Sequence, residues 1–264
     1  MNGLLLWLYE LPAFWLGVLT VAVFLAVSLG GLWLTRPWAR KHCNQYNDLA
    51  NYYIAAVGVF YALLVGLIAV ATWEDYSDVE STVSNEAVTV ADLYRDAEGY
   101  PPEMRVPLQQ ALRRYVHHVI EEEWPDQRRG VEPQAHVAIV TELSRRMASF
   151  EPATPGQQVL HAEFLRRFNE FLIYRRLRLQ GVDSGLPEVM WTVMLLGAAI
   201  TIGMTFFLWT DNLRVHSLLT ASFATIIALV IFLIFALDEP LIGRVSVDPG
   251  SFQDVLVSVM GEGQ

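Results

Sequence analysis

The sequence predicts an all-α membrane protein with four transmembrane helices in a 2+2 arrangement and an extramembrane helical bundle between the second and the third. Composition is the first reason. Of the 264 residues, 53% are hydrophobic and only 17% are charged, against about 25% charged residues in a typical soluble domain. The second reason is the distribution of apolar residues, which gather in four long runs. The third is that the segment between the second and third runs shows helical rather than strand periodicity.

Four stretches are long enough to cross a bilayer, which takes roughly 20 apolar residues. They are residues 11–34, 54–73, 189–209 and 217–237, and none contains an acidic residue, lysine or arginine. Tryptophans lie near their ends, where an amphipathic ring prefers the headgroup layer: Trp15, Trp33, Trp73, Trp191 and Trp209. Residues 1–10 are expected to form a short interfacial N-terminus rather than a signal peptide, because no basic region precedes the apolar run. Basic residues flank the spans almost evenly on both sides, so orientation stays open.

Residues 74–188 contain no run long enough to span a membrane and are predicted to form the extramembrane helical domain. Four stripes recur at three- and four-residue steps, as on amphipathic helices. They are Val79, Val83, Ala87, Val90 and Tyr94; Met104, Leu108, Leu112, Tyr115 and Val119; Val137, Val140, Leu143, Met147 and Phe150; and Leu160, Phe164, Phe168 and Leu172. The bundle is expected to run on into the spans at Trp73 and Val189. The remaining segments are the transmembrane pairs 11–73 and 189–237 and a C-terminal tail, 238–264.

Several classes of function are disfavoured by the composition and the motifs. The net charge of −10 argues against a nucleic-acid partner, which requires a basic face. The single cysteine, Cys43, excludes an intramolecular disulfide and a cysteine-based zinc site, and the histidines show no metal-ligand spacing. No nucleophile, phosphate-loop or cofactor motif is present, so we expect neither an enzyme nor a cofactor. The spans carry no ionisable residue for active transport, which favours passive conduction, anchoring or signalling.

The second span is the segment with the strongest functional signals. Gly58, Ala62 and Gly66 place small residues on one face, which lets helices approach closely in lipid. Packing within the chain, packing around a subunit axis and pore lining all remain open for this face. Away from it, the bulky residues Phe60, Tyr61 and Leu64 are candidates for a hydrophobic constriction in an oligomer.

An acidic run follows the second span. Glu74, Asp75 and Asp78 are candidates for charged rings at a pore mouth, which would attract cations. A solvated helix face is the plainer interpretation, and a calcium site is a third, although no EF-hand spacing supports it. The run continues to Glu80 and Glu86. A cluster of arginines before the third span would either bind anionic lipid headgroups or pair with this run, and pairing is expected because both segments approach the same membrane face. The cluster consists of Arg166, Arg167, Arg175, Arg176 and Arg178.

Several short strings, taken in order, resemble the bestrophin-like membrane family of bacteria and plants over about residues 45–255. They are Asn51 with Gly58, Gly66 and Trp73; Asn85-Glu86-Ala87 with Leu93-Tyr94-Arg95; Tyr115 with Glu123-Trp124-Pro125; Arg175-Arg176-Leu177-Arg178 before Leu186-Pro187 and Trp191; and Leu237-Asp238-Glu239-Pro240 with Gly243. The resemblance implies a homo-oligomeric, pentameric anion channel whose second span lines the pore. It also implies a multi-pass protein of the bacterial inner (cell) membrane.

One departure from the bestrophin pattern concerns the pore. Bestrophin necks carry a proline and phenylalanines, whereas this second span has no proline and one phenylalanine. The acidic run also suits cations better than the anions that the resemblance implies. The leading hypothesis is therefore an oligomeric ion channel with lipid and inorganic ions as its partners. The alternative is a membrane-anchored sensor or scaffold, whose isolated 74–188 fragment would capture a partner while the full protein conducts nothing.

Overall fold

The computed structural model describes residues 7–42, 46–131, 137–181 and 185–261, and this part of the chain is helical without any β-strand. Residues 1–6 of the predicted interfacial N-terminus and Cys43 lie outside it. The α-helices are α1 (Ala13–His42), α2 (Asn47–Asp96), α3 (Pro102–His118), α4 (Trp124–Arg128), α5 (Val137–Ala148), α6 (Pro155–Gln180), α7 (Glu188–Thr205), α8 (Leu213–Leu237) and α9 (Gly250–Ser258). A short 3₁₀ turn, Ala97–Gly99, follows α2, and a π-helical turn, Val119–Glu123, joins α3 to α4. The all-α expectation is confirmed.

Four of the helices in the described residues are long and apolar enough to cross a membrane. The predicted runs 54–73 and 217–237 lie wholly within their helices. The other two overlap theirs with different ends: α1 runs from Ala13 to His42, and α7 ends at Thr205, four residues before the predicted end. The second run does continue past Trp73, since α2 is a single helix of 50 residues. The expected continuity at Val189 is wrong, because α6 ends at Gln180 and the non-helical residues 185–187 precede α7. Proline has no N–H for a helical bond and disfavours helix in the residue before it.

The chain divides into two compact units. The span unit comprises Trp7–Glu74 and Gly185–Asp238, and the helical unit comprises the described residues of Asp75–Ser184 and Glu239–Gln264. Residues 239–261, predicted only as part of a C-terminal tail, therefore belong to the same unit as most of the predicted helical domain.

In the span unit, α1 packs along α8, and small residues permit close approach at two further points. A β-carbon on Gly31 would lie 2.6 Å from the ring of Phe206, and one on Gly197 would lie 2.7 Å from the ring of Tyr61. Such contacts are closer than carbon atoms tolerate, so glycine at these positions lets an aromatic ring lie directly on a helix backbone.

Two polar side chains tie the ends of the spans together. The Asp238 carboxylate accepts hydrogen bonds from the Leu186 backbone N–H (2.7 Å) and the Trp191 indole N–H (3.1 Å). The Asn47 side-chain amide binds both backbone groups of Trp209, donating to its carbonyl (2.7 Å) and accepting from its N–H (2.9 Å). Through Leu186 and Trp209 these bonds satisfy backbone groups in the segments that flank α7, outside the helices.

The helical unit has its own hydrophobic core, to which all four predicted stripes contribute buried residues, among them Val83, Leu112, Leu143 and Phe164. The side chain of Val137 lies outside the described side chains. The π-helical turn immediately precedes Trp124 and Pro125. Because Pro125 cannot donate the next helical hydrogen bond, a wider turn at this point accommodates it without ending the helix. The turn brings Glu123 and Trp124 into the interior of the unit.

Candidate functional site

The bulky residues predicted to form a constriction on the second span face in different directions. The Phe60 side chain is 74% exposed, whereas Tyr61 is only 8% exposed. The Tyr61 ring lies against Gly197, and its hydroxyl donates to the Met194 carbonyl at 3.3 Å. Leu64 is half-buried. Within the chain, Tyr61 therefore holds α2 against α7, while Phe60 remains available to another surface.

The small-residue face of α2 meets little of the chain itself. A β-carbon on Gly58 or Gly66 would have no described atom of another residue within 4 Å, and Ala62 is exposed. Close packing within the described chain therefore does not account for these residues. In the membrane this face therefore contacts lipid, another subunit or a water-filled path.

The acidic residues Glu74, Asp75 and Asp78 are all exposed. None of the three forms an ion pair with the described residues. They belong to the same uninterrupted helix as Phe60, and Glu74 follows Leu67 by seven residues, or about two turns. Phe60, Leu67 and Glu74 therefore follow one another at seven-residue steps, which places them on almost the same side of α2.

A buried ionic cluster lies at the centre of the helical unit. Arg178 on α6 is fully buried and donates to both carboxylate oxygens of Glu86 on α2, at 2.7 and 3.3 Å. Its guanidinium also donates to Glu123 of the π-helical turn at 2.7 Å and to the Gln127 side-chain oxygen on α4 at 3.0 Å. The Tyr115 hydroxyl on α3 donates to Glu86. The cluster thus joins α2, α3, the π-helical turn, α4 and α6.

The surroundings of the cluster keep its charges paired. Burial alone would lower the pKa of Arg178, but Glu86, Tyr115 and Glu123 together raise it well above its ordinary value. Burial would raise the pKa of Glu123, and the charges of Arg178 and then Arg175 outweigh it, so that pKa is lowered. Burial, followed by the negative charge of Glu86, raises the pKa of the Tyr115 phenol well above its usual range. At neutral pH Arg178 and Glu123 are therefore charged and the Tyr115 phenol is neutral.

Aromatic rings and a second arginine complete the surroundings of Arg178. Its guanidinium carbon lies 5.7 Å from the centre of the Trp124 ring and 6.0 Å from that of Phe252 on α9, within the range of cation–π attraction. Arg175 approaches the other oxygen of Glu123, at 3.6 Å. The cluster is enclosed, so its chemistry suits holding helices in place rather than handling a substrate.

The expected pairing of the arginine cluster with the acidic run is confirmed for one residue of each set, Arg178 and Glu86. The other arginines of the cluster pair elsewhere or remain at the surface. Arg167 bridges Asp92, Asp96 and Glu163, Arg166 pairs with Glu163 and Glu170, Arg175 approaches Glu123, and Arg176 is exposed.

Sequence reasoning did not single out this cluster as a site. The signal was nevertheless present, because Glu86, Tyr115, Glu123 and Arg178 all lie in the strings that carried the family resemblance. Gly243, from another of those strings, has a φ of 77° and donates its N–H to the Arg128 carbonyl at 3.0 Å. A positive φ is strained for residues with a β-carbon, so glycine suits this position. Among the described residues, no group of three or more histidine, cysteine, aspartate or glutamate side chains is arranged to hold a metal ion.

Comparison with known proteins yields one family and two solved structures. A family model described as Bestrophin-like domain matches residues 22–252. The crystal structure of a proline-to-alanine variant of a membrane protein superposes with a TM-score of 0.69 at 10% identity, covering 93% of this chain and 99% of that one. A bacterial bestrophin homologue from Klebsiella pneumoniae gives a TM-score of 0.67 at 11% identity, with the same coverage. None of the curated proteins compared with the chain matches it. At such identities the two structures establish a shared fold.

Proposed function

Because the chain belongs to the Bestrophin-like domain family, we propose that it is an oligomeric ion channel in which the second spans surround a passive conduction path. It is an integral membrane protein, with four helices of sufficient length and apolarity among the described residues. We further propose a homo-oligomer, pentameric by the resemblance, in the bacterial inner membrane. Residues 74–188 would lie outside the bilayer, and no catalytic role is assigned.

The observation that carries the proposal is the uncovered side of α2. Phe60 and Leu67 are exposed on a helix that carries Glu74 two turns beyond Leu67, at an unchanged seven-residue spacing. From Phe60 to Glu74 the helix rises about 21 Å, at 1.5 Å per residue. Several copies around an axis would therefore form a hydrophobic constriction at Phe60 and an acidic ring about 21 Å away.

Removal of the Phe60 ring tests the constriction. With a smaller side chain at the narrowest point, we expect Phe60→Ala to raise the unitary conductance in planar bilayers by at least about twofold. Phe14→Ala is a matched control, because Phe14 on α1 is equally exposed, at 71%, and lies outside the proposed path. Equal currents from the wild type and the Phe60→Ala variant, at normal expression, would remove Phe60 from the path.

Neutralising Glu74 and Asp75 tests whether they form the mouth of the pore. With Glu74→Gln and Asp75→Asn combined, the local negative potential falls, so the reversal potential in a salt gradient should shift toward that of anions. Glu103→Gln, an exposed acidic residue at the start of α3, should leave the reversal potential unchanged. An unchanged value in the double variant would place Glu74 and Asp75 away from the ions.

The intrinsic selectivity of the channel follows from the same recordings. The family resemblance implies anions, whereas an acidic mouth favours cations, and the wild-type reversal potential distinguishes the two. A purified protein that is monomeric and electrically silent across pH, calcium and voltage would contradict the channel proposal. It would favour the membrane-anchored sensor or scaffold instead.

A further inference from the structure

A basic groove lies in the span unit between the last turns of α1 and the end of the loop that leads into α8. It has a volume of about 700 Å³, and its lining includes Trp33, Arg36, Arg40, Trp209 and Asp211. Two arginines face one aspartate, so the groove carries a net positive charge. It is bordered by tryptophans that the sequence places at the ends of the membrane runs.

Arg36 is held in this groove with part of its hydrogen-bonding capacity unused. Its guanidinium carbon lies 4.9 Å from the centre of the Trp209 ring, and Nη2 donates to the Thr210 and Asp211 carbonyls, both at 3.4 Å. Its Nη1 atom is buried and has no hydrogen-bond partner in the described part of the chain. Arg36 is half-buried and lines the groove, so its positive charge is held where a bound anion would meet it.

Arg40 supplies a second charge one helical turn from Arg36. Residues four apart on a helix are neighbours on its surface, and Arg40 is exposed and forms no hydrogen bond or ion pair with described residues. Two neighbouring guanidinium groups match the oxygens of a phosphate, because each offers several N–H donors in a fixed plane.

Apolar surface lies on the same side of α1 as Arg36, further into the apolar run. Leu29 precedes Arg36 by seven residues, which is about two helical turns and about 10 Å along α1, and its side chain is exposed. The hydrocarbon layer of one leaflet is about 15 Å thick. An acyl chain of a lipid whose phosphate lies at Arg36 can therefore extend along this side of α1, past Leu29.

We propose that this groove binds one anionic phospholipid, with its phosphate at Arg36 and Arg40, its glycerol region beside Trp209 and an acyl chain along Leu29. The charges favour a headgroup with a net negative charge over a zwitterionic one, whose ammonium would meet the same arginines. The site is independent of the proposed conduction path, which concerns the second span.

Native mass spectrometry of the full-length protein, released from detergent with added lipid, tests the proposal. Phosphatidylglycerol should be retained at least about tenfold more than phosphatidylcholine, as expected for charge-assisted bonds. Arg40→Gln should reduce the phosphatidylglycerol signal at least about fivefold, and combination with Arg36→Gln should remove the preference. Lys41→Gln, which neutralises an exposed basic residue adjacent to Arg40 but outside the groove, should retain it.

Three results would overturn the proposal. They are equal retention of the two lipids by the wild type, undiminished retention by Arg40→Gln, and displacement of phosphatidylglycerol by millimolar inorganic phosphate. The last would identify the site as one for free phosphate. Arg40→Gln is the decisive variant, because Arg40 forms no hydrogen bond or ion pair with the described residues and its substitution leaves the contacts of the fold intact. A melting curve for each variant separates loss of the lipid site from loss of the Arg36 contacts to Trp209.

Discussion

Replacement of Arg178 by methionine isolates the contribution of the buried ionic cluster. Methionine has nearly the same helix propensity as arginine, so α6 itself should persist. The substitution removes the hydrogen bonds from Arg178 to Glu86, Glu123 and Gln127 and leaves two buried carboxylates.

The loss of stability in Arg178→Met depends on the partners that remain beside each carboxylate. Glu123 keeps Arg175 at 3.6 Å, whereas Glu86 keeps only the neutral Tyr115 hydroxyl among the partners of the cluster. The loss is therefore close to that of one broken buried pair, about 3–5 kcal/mol. At about 2–4 °C of Tm per kcal/mol for chains of this size, the melting temperature should fall by about 6–20 °C.

The assay is thermal unfolding of the detergent-solubilised protein, followed by tryptophan fluorescence at one scan rate for all variants. Arg176→Met is the matched control, because Arg176 is an exposed neighbour on the same helix; its effect should stay within about 0.5 kcal/mol, or about 2 °C. Adding Glu86→Gln and Glu123→Gln to Arg178→Met should restore part of the loss, since the buried charge disappears. A melting temperature for Arg178→Met within about 2 °C of the wild type would refute this account of the cluster.

Two further predictions concern acid stability and packing between the spans. The pKa of Glu123 is lowered on folding, so its stabilising contribution is complete above the ordinary glutamate pKa of 4.5 and is lost as pH falls through the lowered value. Glu123→Gln should therefore reduce the slope of unfolding free energy against pH in acid by up to about 1.4 kcal/mol per pH unit. An unchanged slope would contradict this. Gly197→Ala places a methyl group against the Tyr61 ring and should cost about 1–3 kcal/mol, seen as a lower Tm. Gly203→Ala, with no described neighbour within 4 Å of its β-carbon, should change the Tm little, and equal effects of the two would contradict the packing.

The parts of the structure that follow from local periodicity could be predicted from the sequence. The four runs and the four stripes correspond to helices because their signals need only a few neighbouring residues. The continuous helix through Trp73 was also predicted. The break between α6 and α7 was not predicted, although Pro187 is a local signal that a helix does not continue through this segment.

The direction in which each residue of a span faces was harder to predict. A helix that is apolar on all sides carries no periodic signal for its buried face, so Phe60 and Tyr61 looked equivalent although only Tyr61 packs against α7. The partner of Arg178 presented another difficulty, because Glu86 lies 92 residues away and many carboxylates compete for one guanidinium. The π-helical turn that brings Glu123 to the cluster leaves no clear pattern in the sequence beyond Pro125.

The central claim, that the second span lines a conduction path, is tested most directly by blocking the path at Phe60. In a Cys43→Ser background, Phe60→Cys channels in planar bilayers would be treated with a charged methanethiosulfonate reagent. The account predicts a rapid, reductant-reversible loss of current, with no effect on Phe14→Cys channels in the same background. Persistent current after confirmed modification of the Phe60→Cys thiol would contradict it.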